Sequence, residues 1–168
     1  MSLVVAGSGH RPDKLAGGYS DATFFRLSYV ANEALVRLGA TRVISGMALG
    51  WDQALAHAAV ELKIPLVAAV PFKGQEEMWP ASSQKRYNDL LRQAESVFYV
   101  SKPPYAAQKM HARNEYMVNE CDLLLVMWNG SAGGTSSCIS YAKRMQKPIE
   151  NMWDEWITQT ERDRYETS

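Results

Sequence analysis

A loop of small residues carries the clearest chemistry in the chain. It reads Asn-Gly-Ser-Ala-Gly-Gly-Thr over residues 129–135 and lies between an apolar run and a helical pattern. Gly130, Gly133 and Gly134 leave the backbone amides accessible, and Thr135 places a hydroxyl at the predicted helix start. Successive amides at a helix N-terminus bind anions without needing a lysine. The loop therefore predicts a phosphate-binding site, with a plain turn as the alternative.

The end of this loop limits the phosphate chemistry. It lacks the Gly-Lys-Ser/Thr ending of an NTP-hydrolysing P-loop, so magnesium-assisted triphosphate chemistry is not indicated. The two cysteines, Cys121 and Cys138, show no metal-type spacing and fall on predicted core elements. We therefore expect no metal and no cofactor, and a reduced compartment for the thiols.

A second glycine pair follows the first predicted strand. Gly7 and Gly9 flank Ser8, and Arg11 comes two residues later. Glycines let backbone amides approach a ligand closely, and a guanidinium suits phosphate. This stretch predicts ligand contacts, or else a tight strand exit with a surface arginine.

A third glycine-rich turn joins the second predicted strand to a helix. It holds Gly46 and Gly50 and runs into Asp52 in the first helical turn. Such a turn offers free amide donors and the positive end of the helix dipole. Asp52 either complements that dipole or accepts hydrogen bonds from a sugar hydroxyl. His57, one helical turn further on, fits a packed or surface role better than a catalytic one.

A long loop over residues 71–80 follows the third predicted strand, and long loops in compact domains are often functional. Phe72 and Trp79 are suited to stacking on a base. Glu76 or Glu77 could bind a ribose or act as a base, but for each glutamate a solvated loop pinned by Trp79 is the favoured interpretation.

A polar pair, an arginine followed by an asparagine, falls within a predicted helix. Arg113 and Asn114 lie between Met110 and Met117, which favour burial. A buried guanidinium needs a partner, because an unpaired buried charge is costly. A ligand phosphate or a carboxylate such as Asp122 would supply one, and the sequence leaves both open.

The composition excludes a few function classes. The 168 residues are 46% hydrophobic and 21% charged, and 18 basic residues balance 18 acidic ones. No global field therefore draws the chain to nucleic acid or membrane. The first predicted strand begins at Leu3, so we expect no signal peptide, and the longest apolar run, 123–128, is too short to span a bilayer. We expect a cytoplasmic protein.

Apolar runs alternate with segments of helical periodicity, which is typical of a parallel sheet covered on both sides. The fold expected is an α/β protein: a single Rossmann-like three-layer domain over residues 1–153, with a mainly parallel sheet of at least five strands. Residues 154–168 are expected to form a polar tail or a short surface helix. The strands are predicted at 3–6, 42–45, within 65–72, 97–100 and 123–128. The helices are predicted from a cap at Ser20 or Asp21 to Gly39, at 51–63, from Ser82 or Ser83 to about Ala94, at 106–120 and at 135–146.

Several of these segments together resemble known families. Met-His-x-Arg ending at Arg113, the acidic Asp122, and Gly-Gly-Thr ending at Thr135 resemble the lonely-guy phosphoribohydrolases, which cut the N-glycosidic bond of nucleoside monophosphates. The turn ending at Asp52 resembles DNA-processing protein A. Over nearly the whole chain the sequence is similar to the YpsA-type family of the SLOG superfamily, whose members bind nucleotides or nucleotide-derived signals. The segments that carry this similarity are Gly-His-Arg-Pro at 9–12, 45–52, Pro71-Phe72, Trp79, Gln84, Tyr87, 113–117 and 133–135.

The departures from the phosphoribohydrolase pattern bear on activity. Ser137 and Cys138 stand where those enzymes carry two glutamates, and Asn114 stands where they carry a lysine. Cleavage of an N-glycosidic bond needs a carboxylate, and serine and cysteine do not supply one at neutral pH. The resemblance therefore implies that phosphate binding is retained and that the catalytic acid is missing.

The leading hypothesis is a nucleotide-binding protein that holds a phosphorylated nucleoside or ADP-ribose-like molecule at the carboxyl edge of the sheet. The alternative is an N-glycosidase or deoxyribosyltransferase with a relocated carboxylate, for which the catalytic candidates are Glu76, Glu77, Asp52 and Arg113. Single-stranded DNA binding is weaker, because it requires a basic groove. Five tryptophans and eight methionines favour a homo-oligomer, with a dimer as first guess. The predicted ligand-binding residues are Gly7, Ser8, Gly9, Arg11, Gly46, Gly50, Asp52, Trp79, Arg113, Asn114, Asn129, Gly130, Gly133, Gly134 and Thr135.

Overall fold

Six short strands form one sheet in the order β4-β3-β2-β1-β5-β6. Every neighbouring pair is parallel, as expected for strands that are apolar on both faces. The computed structural model describes residues 1–166. The strands are β1 Val4–Gly9, β2 Arg42–Ser45, β3 Leu66–Val70, β4 Ser96–Tyr99, β5 Leu123–Met127 and β6 Ile149–Asn151.

In the described part of the chain, six α-helices cover the two faces of the sheet, which confirms the Rossmann-like α/β prediction. The helices are α1 Asp21–Leu38, α2 Trp51–Glu61, α3 Ala81–Gln93, α4 Ala107–Glu120, α5 Gly134–Arg144 and α6 Trp153–Glu166. A short 3-10 turn, Pro12–Lys14, follows β1. Helices α1, α2, α3 and α6 share one apolar core with the sheet, and α4 and α5 share the other.

The ends of α1 follow local chemistry that the sequence predicts. Ser20 Oγ accepts a hydrogen bond from Thr23 N at 3.1 Å, which caps the first turn. Gly39 ends the helix in the left-handed conformation, with φ of 68°. The cap predicted for α3 at Ser82 or Ser83 is wrong. That helix begins at Ala81, because the fixed φ of Pro80 already suits the residue before the first turn.

The first strand is longer than its sequence predicts. Gly7, Ser8 and Gly9 continue β1 and pair with residues 125–127 of β5, so they belong to a strand and not to a loop. Glycine lowers strand propensity, but pairing with a buried neighbour overrides that preference here. The extension carries β1 to the edge where the helix N-termini gather.

The C-terminal segment forms a helix of 14 residues, α6. Trp156 is only 1% exposed, and Arg26 of α1 both lies over its ring and pairs with Asp163. Trp51 is also fully buried, and the remaining three tryptophans are partly buried in the cores. The monomer thus accommodates its tryptophans, and their number does not by itself argue for an oligomer.

Candidate functional site

A cleft of about 230 Å³ opens beyond the carboxyl ends of the strands, where ligands of such sheets usually bind. Its walls come from the ends of β1 and the 3-10 turn on one side and from the loop before α5 on the other. Its floor comes from α2 and α4. The residues that line it are Ser8, Gly9, His10, Arg11, Asp13, Lys14, Ala48, Asp52, Met110, Arg113, Asn114 and residues 131–135.

The N-terminus of α5 forms one wall of the cleft. Gly133 is the residue before the helix, with φ of 146°, a conformation that favours glycine, and no side chain caps the helix. The first amides of a helix have no intrahelical acceptor. Beyond its own chain neighbours, nothing lies within 4 Å of the place a Cβ would take on Gly134. Gly133, Gly134 and Thr135 all line the cleft, so the start of α5 borders it.

Lys14 crosses from the opposite wall to this loop and was not predicted from the sequence. Its Nζ donates to Ser131 Oγ at 3.2 Å and to Ala132 O at 3.3 Å. The same atom lies 3.6 Å from the position of a Cβ on Gly133. Lys14 forms no ion pair with a carboxylate in the described part of the chain. An ammonium group has three donors, so one remains for a ligand in the cleft.

Arg113 reaches the floor of the cleft from α4 and is 4% exposed. Its Nη1 donates to the carbonyl of Gly46, and its Nε donates to Asn114 Oδ1 at 2.8 Å. Asp122 is not its partner, because Asp122 accepts instead from Val4 N at 2.8 Å at the other end of the sheet. Burial lowers the pKa of Arg113 and nearby Asp52 opposes this, and a guanidinium stays protonated in proteins.

Asp52 reaches the same floor from the first turn of α2 and is 5% exposed. Its Oδ2 accepts from Ala48 N at 3.3 Å, and its backbone carbonyl accepts from Ser45 Oγ. Burial raises the pKa of Asp52, while the charge of Arg113 acts in the opposite direction. Of the carboxylates considered as catalytic candidates, Asp52 alone lines this cleft.

His10 fixes the loop that leads to α5. Its Nε2 accepts from Asn129 N at 2.9 Å, so the proton of the neutral ring is on Nδ1. Burial lowers the pKa of His10, and the charge of Lys14 adds to this effect. Asn129 Oδ1 in turn accepts from Ser131 N. Asn129 and Gly130 therefore shape the loop and do not themselves line the cleft.

Three of the predicted glycines lie behind the cleft. Gly7 packs against Leu55, and Gly50 precedes the first turn of α2. Gly46 lies under Arg113, and a Cβ there would overlap the guanidinium. Gly9, by contrast, lines the cleft, although its α-carbon also packs against Trp51.

A larger chamber of about 530 Å³ adjoins the cleft. Arg11 and Met110 line both cavities, so the two meet at these side chains. Three aromatic side chains line the chamber. Phe72 and Tyr105 are edge-on to each other at 6.0 Å between ring centroids, and Trp79 also lines it. Such walls suit a planar, partly apolar group.

The two glutamates of the 71–80 loop differ in position. Glu77 lines the chamber. Glu76 lines neither cavity, and its Oε2 is buried with no hydrogen-bond partner in the described part of the chain. Gln75 ties this loop to the turn after β2 by donating to Gly46 O at 3.2 Å.

The residues that replace the glutamate pair of the phosphoribohydrolases do not supply a charge. Ser137 is exposed on α5. Cys138 is buried, and burial raises the pKa of its thiol to about 11, so it stays neutral at physiological pH. His57 lies on the outer side of α2, against Phe24 and 3.0 Å from Glu61, and lines no part of the cleft.

The structure thus divides the predicted site residues. The cleft brings together Ser8, Gly9, Arg11, Asp52, Arg113, Asn114, Gly133, Gly134 and Thr135, and the chamber adds Trp79 and Glu77. Gly7, Gly46, Gly50, Glu76, Asn129 and Gly130 line neither cavity. Sequence reasoning missed Lys14, Asp13 and His10. A basic residue soon after a Gly-His-Arg-Pro segment was the available signal for Lys14.

This fold and glycine-lined cleft define a SLOG-type Rossmann domain. The model of the YspA SLOG family matches residues 28–161, and the chain belongs to that family. A prophage-derived protein of Bacillus subtilis, YoqJ, is 32% identical over 135 residues, which cover 71% of this chain and 79% of YoqJ. A UPF0398 protein of Halalkalibacterium halodurans is 34% identical over 112 residues, covering 62% of this chain and 59% of that protein.

Solved structures share the fold at low sequence identity. DNA processing protein A of Streptococcus pneumoniae superposes with a TM-score of 0.64 at 17% identity, over 89% of this chain and 50% of that one. The Helicobacter pylori protein, studied for single-stranded DNA binding, gives 0.62 at 22% identity, over 89% and 64%. The molybdenum cofactor binding protein of Rippkaea orientalis gives 0.57 at 14% identity, over 90% and 76%. The chain therefore spans half to three quarters of these structures.

Within residues 1–166, no helix has the length and apolar character that crossing a membrane requires. The same residues hold no group of three or more His, Cys, Asp and Glu arranged to bind a metal ion.

Proposed function

We propose that the protein binds a phosphorylated nucleoside, with the phosphate in the cleft and the base in the adjoining chamber. The observation that carries this proposal is the meeting of three kinds of donor in one cleft: the first amides of α5, the Lys14 ammonium and the Arg113 guanidinium. A helix N-terminus and fixed cations together favour a phosphate.

The chamber accounts for the rest of such a ligand. Trp79, Phe72 and Tyr105 offer faces and edges against which a base would pack. Arg11 stands where the two cavities meet, so it is placed to contact a group between phosphate and base, or a second phosphate. An ADP-ribose-like molecule is therefore within the proposed class.

Calorimetry against nucleoside monophosphates, nucleoside diphosphates and ADP-ribose tests the proposal. Gly134→Leu is the decisive variant, because its side chain enters the cleft while the fold has space for it. We expect affinity to fall at least tenfold with an unchanged melting temperature. Ser140→Leu, an exposed position further along α5, is the matched control and should bind as the wild type does. Equal affinity in all three proteins would refute the phosphate site.

A second candidate is hydrolysis of an N-glycosidic bond with Asp52 as the relocated carboxylate. The observation in its favour is that Asp52 is buried in the cleft beside Arg113, where a carboxylate stabilises a developing positive charge on a sugar. Incubation with purine and pyrimidine nucleoside monophosphates, followed by chromatography, should release free base with the wild type and none with Asp52→Asn. If all the nucleotides stay intact, the hydrolysis proposal is wrong and the binding proposal remains.

Single-stranded DNA binding stays a weaker alternative. The cleft carries three cations, Arg11, Lys14 and Arg113, against Asp13 and Asp52, which is far from the strongly basic groove that DNA needs. A gel shift with single-stranded DNA at low and high salt separates this alternative from nucleotide binding. A homodimer also stays a prediction, and light scattering of the purified chain measures it directly.

A further inference from the structure

Asp52 and Arg113 present opposite charges to the floor of the same cleft without touching each other. Both are at least nine-tenths buried, and both line the cleft. They form no direct ion pair, although each charge acts on the other. Burying two opposite charges that do not contact each other costs free energy, unless other groups form hydrogen bonds to them.

Each side chain is only partly satisfied by the protein. Arg113 uses Nη1 and Nε in hydrogen bonds to Gly46 and Asn114, and Asp52 uses Oδ2 with Ala48. Arg113 Nη2 and Asp52 Oδ1 have no hydrogen-bond partner among residues 1–166. Among residues 1–166, Glu76 Oε2 is the side-chain atom that is both fully buried and without a hydrogen-bond partner. Arg113 Nη2 and Asp52 Oδ1 therefore keep some solvent exposure, and both residues line the cleft.

The free donor, Arg113 Nη2, and the free acceptor, Asp52 Oδ1, limit the chemical group that can bind to both. A phosphate at the start of α5 is attracted by the charge of Arg113, but a phosphate oxygen that contacted both side chains would be repelled by Asp52. An ammonium group that contacted both would be repelled by Arg113. A hydroxyl satisfies both, because it donates one hydrogen bond and accepts others. The cavities agree with this division of the ligand, since the cleft of about 230 Å³ adjoins a separate chamber of about 530 Å³ that would take the base.

We infer that Asp52 and Arg113 together bind a free hydroxyl of the ligand's sugar, at its 2′ or 3′ position, so that a nucleotide lacking that hydroxyl binds more weakly. This inference rests on the proposed function and narrows its ligand class. The hydroxyl would donate to Asp52 Oδ1 and accept from Arg113 Nη2 while the phosphate of the same molecule binds at the start of α5. A nucleotide inside a DNA strand has no free sugar hydroxyl to offer.

Paired ligands test the inference. Calorimetry with AMP, GMP, CMP and UMP, each against its 2′-deoxy and 3′-deoxy counterpart, measures the contribution of each hydroxyl. A hydrogen bond to a charged group corresponds to roughly a 10- to 100-fold difference in affinity. We expect the wild type to prefer the ribonucleotide over one of the two deoxy forms by at least tenfold.

Variants assign the preference to the pair. Asp52→Asn keeps the shape of the side chain and should reduce the preference to below threefold, while both forms still bind through the phosphate. Arg113→Lys should reduce it similarly, because an ammonium group in place of the guanidinium moves the donor. Asp89→Asn is the control and should keep the full preference. Asp89 is a half-buried carboxylate on α3 that pairs with Lys85 and Arg92 and lies outside the cleft.

Two outcomes separate the inference from the proposed function. If none of the nucleotides binds, both are wrong. If ribonucleotides and both deoxy forms bind equally, and Gly134→Leu weakens all of them, phosphate binding stands and the hydroxyl reading is overturned. A preference that persists in Asp52→Asn also overturns it, since the discrimination would then come from another group.

Discussion

His10 Nε2 accepts a hydrogen bond from the backbone N–H of Asn129 at 2.9 Å and so joins the end of β1 to the loop before α5. The imidazole is 3% exposed and lies edge-on to Trp153 at 5.9 Å between ring centroids. This contact fixes the position from which the chain turns toward the glycines of the cleft. It depends on an unprotonated Nε2, so it links the shape of the loop to pH.

The first prediction follows from that dependence. Burial lowers the pKa of His10 in the folded protein below its usual value near 6.5. As the pH falls through 6.5, His10 therefore becomes protonated in the unfolded chain before it does in the folded protein. The free energy of unfolding falls as a result. Melting temperatures at pH 7.5, 6.5 and 5.5 should decline more steeply for the wild type than for His10→Gln, whose amide oxygen also accepts without titrating. Parallel declines would show that His10 does not govern the change.

Lys14 gives a prediction about affinity. Lys14→Ala should weaken binding of AMP about fivefold, near 1 kcal/mol, because it removes an exposed cation at the start of α5. The loss should shrink at high salt, where the charge is screened. Lys143→Ala, at the far end of the same helix, supplies the control and should leave affinity unchanged. A salt-independent loss would point to altered loop structure.

Gly46 gives a prediction about stability. A methyl group there would overlap the guanidinium of Arg113, whose Nη1 is bonded to the carbonyl of the same glycine. We expect Gly46→Ala to lower the free energy of unfolding by about 2 kcal/mol, since a crowded core costs about 1–3 kcal/mol. Gly134→Ala, where the added carbon has no neighbour within 4 Å, should change it by less than about 0.5 kcal/mol. Urea unfolding of the two variants compares them directly.

The sequence predicted the helix and sheet layers well, because each element shows its own periodicity of apolar residues. Alternation of apolar runs with helical patterns is a local property, and it located five strands and five helices close to their observed bounds. The short β6 was missed because Ile149–Asn151 has only three residues, two of them polar. The extension of β1 to Gly9 was missed because it depends on pairing with β5, over a hundred residues away.

The site was predictable only where local sequence patterns define it. Glycine-rich turns after strands identify the edge where a ligand binds, and they led to Gly133, Gly134 and Asp52. The partners of each side chain are not local. Lys14 meets a loop 117 residues further along the chain, and Arg113 bonds to Gly46 rather than to Asp122, which is closer in sequence. Only the three-dimensional arrangement shows that Asp52 and Arg113 share a floor.

The last prediction concerns the thiols. Burial raises the pKa of Cys138 to about 11 and also raises that of Cys121, so both are protonated at pH 8 as well as shielded. Because the thiolate is the reactive form, the folded protein should react with less than about a tenth of an equivalent of a thiol reagent per cysteine. In denaturant both cysteines should react fully. Rapid labelling of Cys138 in the native state would mean that α5 moves away from the sheet far enough to expose this buried thiol.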